Sequence, residues 1–415
     1  MEQLKRKTQP LVGKGYMLPF ILVTSLFFLW GFARAILDVL NKHFQTSLNI
    51  SITESALIQV TTYLGYFLMA IPAGAFINRY GYRGGVVFGL ILYAIGAFLF
   101  IPVSSIGTLN PYLVALFIIA CGLAFLETSA NPYSTELGPQ ETATSRLNLS
   151  QSFNGLGSGL APMLIGGFLF TSEDADVSLP YTIMGVLVVV VAVIFCFVKL
   201  PEIHHEEEPQ ALQSKGSTIE NLKALVSNSY FLTGLLALLA YEVSEISINS
   251  YFVNFTTGMG WMDAATSSYI LSFSLIIFMG GRFLGSWIMK YVPAERMLLY
   301  CSIGSVVSII LVIITGIAEA DETVSWTKYL PVIFLMFNYL FEAIMFPTIF
   351  SLALKNLGGL TKTASSLLMM TPVGGCGFLL MGYLADSTTL IIPFVIPLLG
   401  YLIVLLFAKR ALQKL

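Results

Sequence analysis

Tyr181-Thr-Ile-Met-Gly-Val-Leu-Val-Val-Val-Val-Ala-Val-Ile-Phe-Cys-Phe-Val198 contains no charged residue. As a helix rising about 1.5 Å per residue it covers most of the roughly 30 Å hydrocarbon core of a bilayer. In water it would expose apolar surface on every side, so 178–199 reads as a membrane span. Working outward with the same criterion divides the chain into twelve runs. The first six cover 17–43, 52–79, 83–103, 109–134, 143–171 and 178–199. The second six cover 228–257, 264–290, 294–317, 327–355, 363–386 and 389–411. Gly and Pro inside these runs are compatible with helices in a membrane. The expected fold class is an all-α integral membrane protein.

Bulk composition agrees. Of 415 residues, 56% are hydrophobic and 11% charged, against about 25% charged in average soluble domains. Mean hydropathy is +0.82, which leaves too little polar surface to cover a soluble core. A net charge of −2 argues against a nucleic-acid partner, because phosphate binding needs clustered Lys and Arg. Cys121, Cys196, Cys301 and Cys376 each lie in an apolar run and form no CxxC pair. They read as packing residues, with no disulfide framework or metal signature. The basic stretch Lys5 to Lys7 precedes the apolar run from Met17 without a small-residue cleavage site, so that run reads as a retained span.

The longest polar stretch, 201–227, separates two sets of six runs. It reads as a cytoplasmic linker between an N-terminal six-helix bundle, 1–200, and a C-terminal one, 228–415. Its His204, His205 and Glu206 to Glu208 read as a solvated loop in preference to a metal site. With both termini in the cytoplasm, all but four of the 21 basic residues fall on cytoplasmic segments or helix ends. Lys42 and Lys328 fall outside, and Arg34 and Arg282 lie within spans. Acid marks the outer loops, in Glu173, Asp174, Asp176, Glu319, Asp321 and Glu322. Gly74–Arg83 closes the second run and Gly285–Arg296 closes the eighth. Matching loops in matching places suit the internal repeats of transporters.

Ionisable residues inside spans are costly and therefore point to function. Arg34 and Asp38 lie four residues apart, on one face of the first run. Glu127 and Asn131 share a face of the fourth. Asn148, Gln151 and Asn154 recur every three residues and read as one polar stripe. Glu242 and Glu245 share a face of the seventh run, which also carries Asn249, and Glu342 follows Asn338 by four in the tenth. Sugar hydroxyls both donate and accept, so carboxylates, amides and Arg suit them. Trp30, Tyr63, Tyr66, Tyr241 and Tyr251 are candidates to cover the apolar face of a pyranose. A carboxyl buried without a cation takes up a proton more readily, which is what proton coupling requires. The bland alternatives stay open: amides and acids also glue helices together, and Arg34 pairs with Asp38, or with Glu242 or Glu342, as readily as it meets a ligand.

At these residues the chain resembles the L-fucose:proton symporter family of the major facilitator superfamily, over roughly 17 to 410. The resemblance is carried by Ser25-Leu-Phe-Phe-Leu-Trp30 leading to Asp38, and by Leu126-Glu-Thr-Ser-Ala-Asn-Pro132 followed by Leu137-Gly-Pro139. Arg146-Leu-Asn-Leu-Ser-Gln-Ser-Phe-Asn154, Phe346-Pro-Thr-Ile-Phe-Ser-Leu352 and Lys355-Asn-Leu-Gly358 carry the rest. It implies the major facilitator fold, two rocking six-helix bundles and alternating access. It implies proton coupling at Asp38 and Glu127. It also implies sugar contacts from Glu127, Gln151 and Asn154, with no cofactor beyond the proton as coupling ion. Arg34, Asp38, Asn131, Glu245, Asn249 and Glu342 complete the candidate substrate-binding set. The expected partners are a small-molecule sugar and membrane lipid, for a monomer in a bacterial inner membrane. The chain departs from the family where Arg34, Ala35 and Leu37 replace amides and Asn249 replaces a Trp. Glu242 and Glu342 stand at positions expected to be apolar or neutral, and Asn78 stands where an Asp is usual. A different hexose, or an anionic or amino sugar, therefore competes with fucose. A drug:proton antiporter fits the amide residues poorly. A non-transporting sugar sensor fits the short tail after Ala408 poorly, and no catalytic constellation suggests an enzyme.

Overall fold

The computed structural model describes residues 10–139, 142–172, 175–198, 218–289, 291–319 and 327–414. Lys5 to Lys7, Glu173, Asp174, the linker up to 217 with its His204–Glu208 cluster, Asp321 and Glu322 lie outside the described residues. Among the described residues, twelve helices are long and apolar enough to cross a membrane. They are α1 (Met17–Leu48), α2 (Ile52–Ile77), α3 (Arg79–Ser104), α4 (Leu109–Glu136), α5 (Arg146–Thr171), α6 (Ser178–Phe197), α7 (Ser229–Gly258), α8 (Ala264–Ile288), α9 (Ala294–Ala318), α10 (Leu330–Ala353), α11 (Thr363–Ser387) and α12 (Ile392–Leu412). No strand occurs among the described residues.

Helix α6 shows why these runs fold as spans. Tyr181, Met184, Gly185, Val188, Ala192 and Phe195 recur at helical spacing and are buried. The opposite face exposes Ile183, Val186, Leu187, Val190 and Phe197. Apolar surface of that extent is tolerated against lipid and not against water.

Several spans are broken where the sequence removes hydrogen bonds. Proline lacks an N–H and crowds the preceding turn. In α5 a π-helical turn, Pro162–Gly166, follows a regular helix ending at Ala161. In α10 regular helix stops at Glu342 and resumes at Met345. Pro347 cannot donate to the Ala343 carbonyl, and the Arg282 Nε does so instead, at 3.2 Å. In α11, Pro372 and three glycines turn Thr371–Gly377 into a 3₁₀ segment. Gly81, at φ 74°, is non-helical and kinks the chain in the first turn of α3. The C-terminal end of α1 runs to Leu48, beyond the expected 43. There Thr46 bonds back to the Lys42 carbonyl at 3.0 Å, and Gln45 donates to Ser55 at 2.8 Å.

By compactness the chain forms two units. One comprises 1–35, 68–161 and 176–204, and the other 36–67, 162–175 and 205–415. The second unit therefore contains the C-terminal ends of α1 and α5 and the start of α2, packed with α7 to α12. Asp386 ties α11 to the start of α2, accepting from Ile52 N (3.2 Å), Thr53 N (2.7 Å) and Thr53 Oγ1 (2.5 Å).

In the first unit, Arg146 is fully buried at the start of α5. A helix end leaves its last four carbonyls without intrahelical donors. The Arg146 guanidinium collects those at the end of α4 and in the turn after it. It donates to the carbonyls of Ser134 (3.1 Å), Gly138 (3.1 Å), Pro139 (3.1 Å) and Leu11 (2.9 Å), to that of Thr135, and to the Thr142 hydroxyl (2.7 Å). This assigns a structural cause to two stretches that carry the family resemblance, Leu137–Pro139 and Arg146. Hydrogen bonds from charged donors are each worth about 1.5–3 kcal/mol. Arg146→Lys keeps the charge but loses the planar fork. Its melting temperature in detergent should fall by about 5 °C or more. An unchanged melting temperature would remove Arg146 as the tie between α4 and α5.

Candidate functional site

Within the first unit, the candidate residues come from α1, α4 and α5. Glu127, half-buried on α4, lines a small recess with Leu26, Phe27, Trp30, Leu126 and Ala130. The charge of Arg34, on α1, acts on the Glu127 carboxyl. Trp30, a candidate aromatic, lines the same recess as Glu127. Its ring lies 6.3 Å from Phe27, edge to face. One turn on from Glu127, Asn131 accepts from Gln151 Nε2 at 3.2 Å, so the two amides act as one group.

The amides of α5 fan out instead of forming a single stripe. A step of three residues falls short of a full turn by about 60°, and two steps by about 120°. Asn148 is exposed, Gln151 meets α4, and Asn154 donates to the Phe27 carbonyl of α1 at 3.2 Å. The α1–α5 contact is close because both helices carry glycine there. A Cβ on Gly31 would lie 2.2 Å from the Asn154 carbonyl oxygen, and one on Gly157 2.3 Å from that of Phe28. Ser158 donates to the Gly31 carbonyl at 3.1 Å, and Thr24 meets Ser150 at 3.0 Å.

Within the second unit, Asp38 is buried on α1 and accepts from the Ser250 hydroxyl of α7 at 2.9 Å. Gln59 Nε2 of α2 donates to Ser250 at 3.0 Å. A chain of neutral groups thus joins α1, α2 and α7 at this carboxyl. Glu245 and Asn249 are buried one turn apart on α7 and bonded at 3.0 Å. Glu242, four-fifths of a turn earlier, is also buried. Glu342 on α10 is fully buried. Its Oε2 accepts from Asn338 Nδ2 at 2.9 Å and from the Tyr401 hydroxyl of α12. A sugar hydroxyl reaches that oxygen only when one of these donors lets go.

The remaining candidate aromatics each pack against neighbouring groups in this conformation. Tyr251 donates to the Leu390 carbonyl at 2.9 Å, and its ring meets Phe255, Phe378 and Phe394. Tyr63 fills the space left by Gly375, where a Cβ would lie 2.2 Å from its ring; Tyr66 is its ring neighbour at 6.3 Å. Tyr241 is buried against Phe346. Ser250, Gln59 and Tyr401 were not among the expected site residues. Ser250 had a signal in the polar run of α7 with Ser244, Ser247 and Asn254. Tyr401 had none, being a single hydroxyl in an apolar helix. No group of side chains able to hold a metal ion occurs among the described residues.

A model of the family described as Major Facilitator Superfamily matches residues 23–378. The glucose/galactose transporter of Brucella abortus biovar 1 (strain 9-941) is 35% identical over 404 residues, covering 94% of this chain and 92% of that protein. The L-fucose-proton symporter of Haemophilus influenzae (strain ATCC 51907 / DSM 11121 / KW20 / Rd) is 34% identical over 433 residues, covering 96% of this chain and 97% of that protein. The crystal structure of the transporter FucP in an outward conformation matches with a TM-score of 0.67 at 30% identity, covering 95% of this chain and 99% of that one.

The close α1–α5 contact makes a direct prediction. Gly31→Ala should cost about 1–3 kcal/mol through overpacking, read as a lowered melting temperature. Gly280→Ala meets nothing within 4 Å and should leave it unchanged. Equal melting of the two variants would contradict the contact.

Proposed function

We propose that the chain, which belongs to the Major Facilitator Superfamily and within it to the L-fucose–proton symporter family, imports a small neutral sugar together with a proton by alternating access. The sugar is a hexose or deoxyhexose, the class named for its relatives. The chain is a multi-pass membrane transporter and not an enzyme. The proton is the coupling ion, and no cofactor takes part. The protein works as a monomer surrounded by lipid in a bacterial inner membrane, with both termini in the cytoplasm. Its moving halves are 1–200 and 228–415, joined by 201–227.

The observation that carries this reading is Asp38, a carboxyl buried inside a span, where an ionisable group is costly and points to function, and bonded to the Ser250 hydroxyl of α7. A buried carboxyl that takes up a proton sheds the cost of its charge, which is what coupling requires. Glu127, beside Trp30 and under the field of Arg34, is both a sugar acceptor and the second coupling group. Asn131 and Gln151 act as a pair for sugar hydroxyls, and Asn154 flanks them on α5. Glu245 and Asn249 supply acceptors and donors from α7. Arg34 and Asp38 contribute from α1, and Glu342 from α10. In the proposed orientation the start of α2 and the end of α11 are outer ends, so the Asp386 bonds to Ile52 and Thr53 must break for the outer side to open.

Cells expressing the chain should alkalinise their medium when given D-glucose, D-galactose or L-fucose, whichever is carried. Asp38→Asn should abolish uphill accumulation while sugar exchange persists. Glu127→Gln should weaken sugar binding about tenfold, equivalent to about 1.4 kcal/mol. Coupled uptake that survives Asp38→Asn would overturn the proton assignment. Flux without any pH change would overturn symport itself.

A further inference from the structure

Glu342 lies where three features of the C-terminal helices meet. It is the last residue before the break in α10, whose Ala343 carbonyl is capped by Arg282 at 3.2 Å. It is 0% exposed, as are Asn338 and Tyr401. Only one of its carboxyl oxygens is in use. Tyr401 and Asn338 both donate to Oε2, while Oε1 has no hydrogen-bond partner. Asn338 Nδ2 also donates to the Tyr401 hydroxyl at 3.0 Å, closing a three-membered cluster between α10 and α12.

Among the described residues Arg282 is the cation that acts on Glu342, and acids act on it too. From α7 the carboxyl of Glu245 acts on Glu342, adding like charge, and Tyr241 of the same helix senses both acids and Glu242. From α8 comes Arg282, whose Nε is spent on the Ala343 carbonyl and whose guanidinium stacks 4.6 Å from the Phe278 ring. From α12 comes Tyr401, and from α10 itself Tyr339, which also senses Asp38. Helix α9 carries Cys301 and, at its start, Glu295, which is bonded to Lys355 at 2.9 Å. A buried carboxylate without its own cation is costly, and a proton removes that cost.

We propose that Glu342 is a proton-binding carboxyl of the C-terminal helices, and that its charge sets how tightly α12 is tied to α10 at the break in α10. The idle Oε1 can take a proton without displacing Tyr401 or Asn338. Charge-assisted hydrogen bonds are roughly twice as strong as neutral ones. Ionised Glu342 therefore grips Tyr401, and protonated Glu342 loosens it beside a segment already lacking a helical bond. No atom of Tyr401 need leave for the proton to arrive, so the cluster responds to pH while staying assembled.

The transport half of the test rests on the symport proposed above, and the spectroscopic half does not. Full-length wild type, Glu342→Gln and Tyr401→Phe are compared by infrared titration in lipid vesicles. The same preparations are assayed for pH-dependent uptake of D-glucose, D-galactose and L-fucose. Gln keeps the donors to Oε2 satisfied, so a purely structural role predicts wild-type behaviour. The proposal predicts that a titrating protonated-carboxyl band in wild type is lost in Glu342→Gln. It predicts that the same variant loses one limb of the pH profile of uptake. Tyr401→Phe removes a donor to the ionised form, so the band and the profile should move about one unit toward higher pH. An unchanged band in Glu342→Gln, or no movement in Tyr401→Phe should the first variant fail to fold, overturns the assignment. If wild type carries none of the three sugars, the symport reading fails and the infrared result alone decides for Glu342.

Discussion

Charge inside a bilayer must be neutralised close at hand, by a partner or by a proton. Away from the helix ends, the spans carry Asp38, Glu127, Glu242, Glu245 and Glu342 against Arg34 and Arg282. Arg282 caps the Ala343 carbonyl and acts on Glu342, and Arg34 acts on Glu127. The acids outnumber the bases that could hold them ionised. A chain with that imbalance folds at low cost only if protons occupy some carboxyls, and a chain that exchanges those protons across its working cycle is a proton-coupled machine.

The same economy governs the neutral polar groups. Asn154 and Ser158 bond to the backbone of α1, where Gly31 and Gly157 bring the helices close. Arg146 gathers the loose carbonyls at the end of α4. These contacts hold the framework. Gln151 with Asn131, and Asn249 with Glu245, bond to each other. Groups paired in that way can exchange their bonds for those of a sugar hydroxyl with little loss, whereas groups bonded to backbone cannot.

The twelve spans and their order were legible because hydrocarbon thickness sets a length that the apolar runs match. Their ends were legible only to within a few residues: α1 continues to Leu48 because Thr46 and Gln45 find local partners. The breaks at Pro162 and in α10 are written in proline positions, but their repair by Arg282 is not, since it joins residues far apart in the chain. The acids of the candidate site were legible by rarity. Their partners were less so. A period of three looks like a stripe on paper and fans by about 120° on a helix of 3.6 residues per turn. Tyr401 reaches Glu342 from another helix and carries no signal of its own. Arg146 had one, in the loose carbonyls before it and the Leu137-Gly-Pro139 turn.

A neutral sugar that crosses with a proton carries charge across the membrane. Purified protein in vesicles on a solid-supported membrane, with no ion gradient imposed, is given a step of the sugar it carries. If protons neutralise the buried carboxyls and travel with the sugar, the step drives positive charge in the direction of sugar flow, and Asp38→Asn removes the sustained current. Sugar uptake with no accompanying charge would contradict the account.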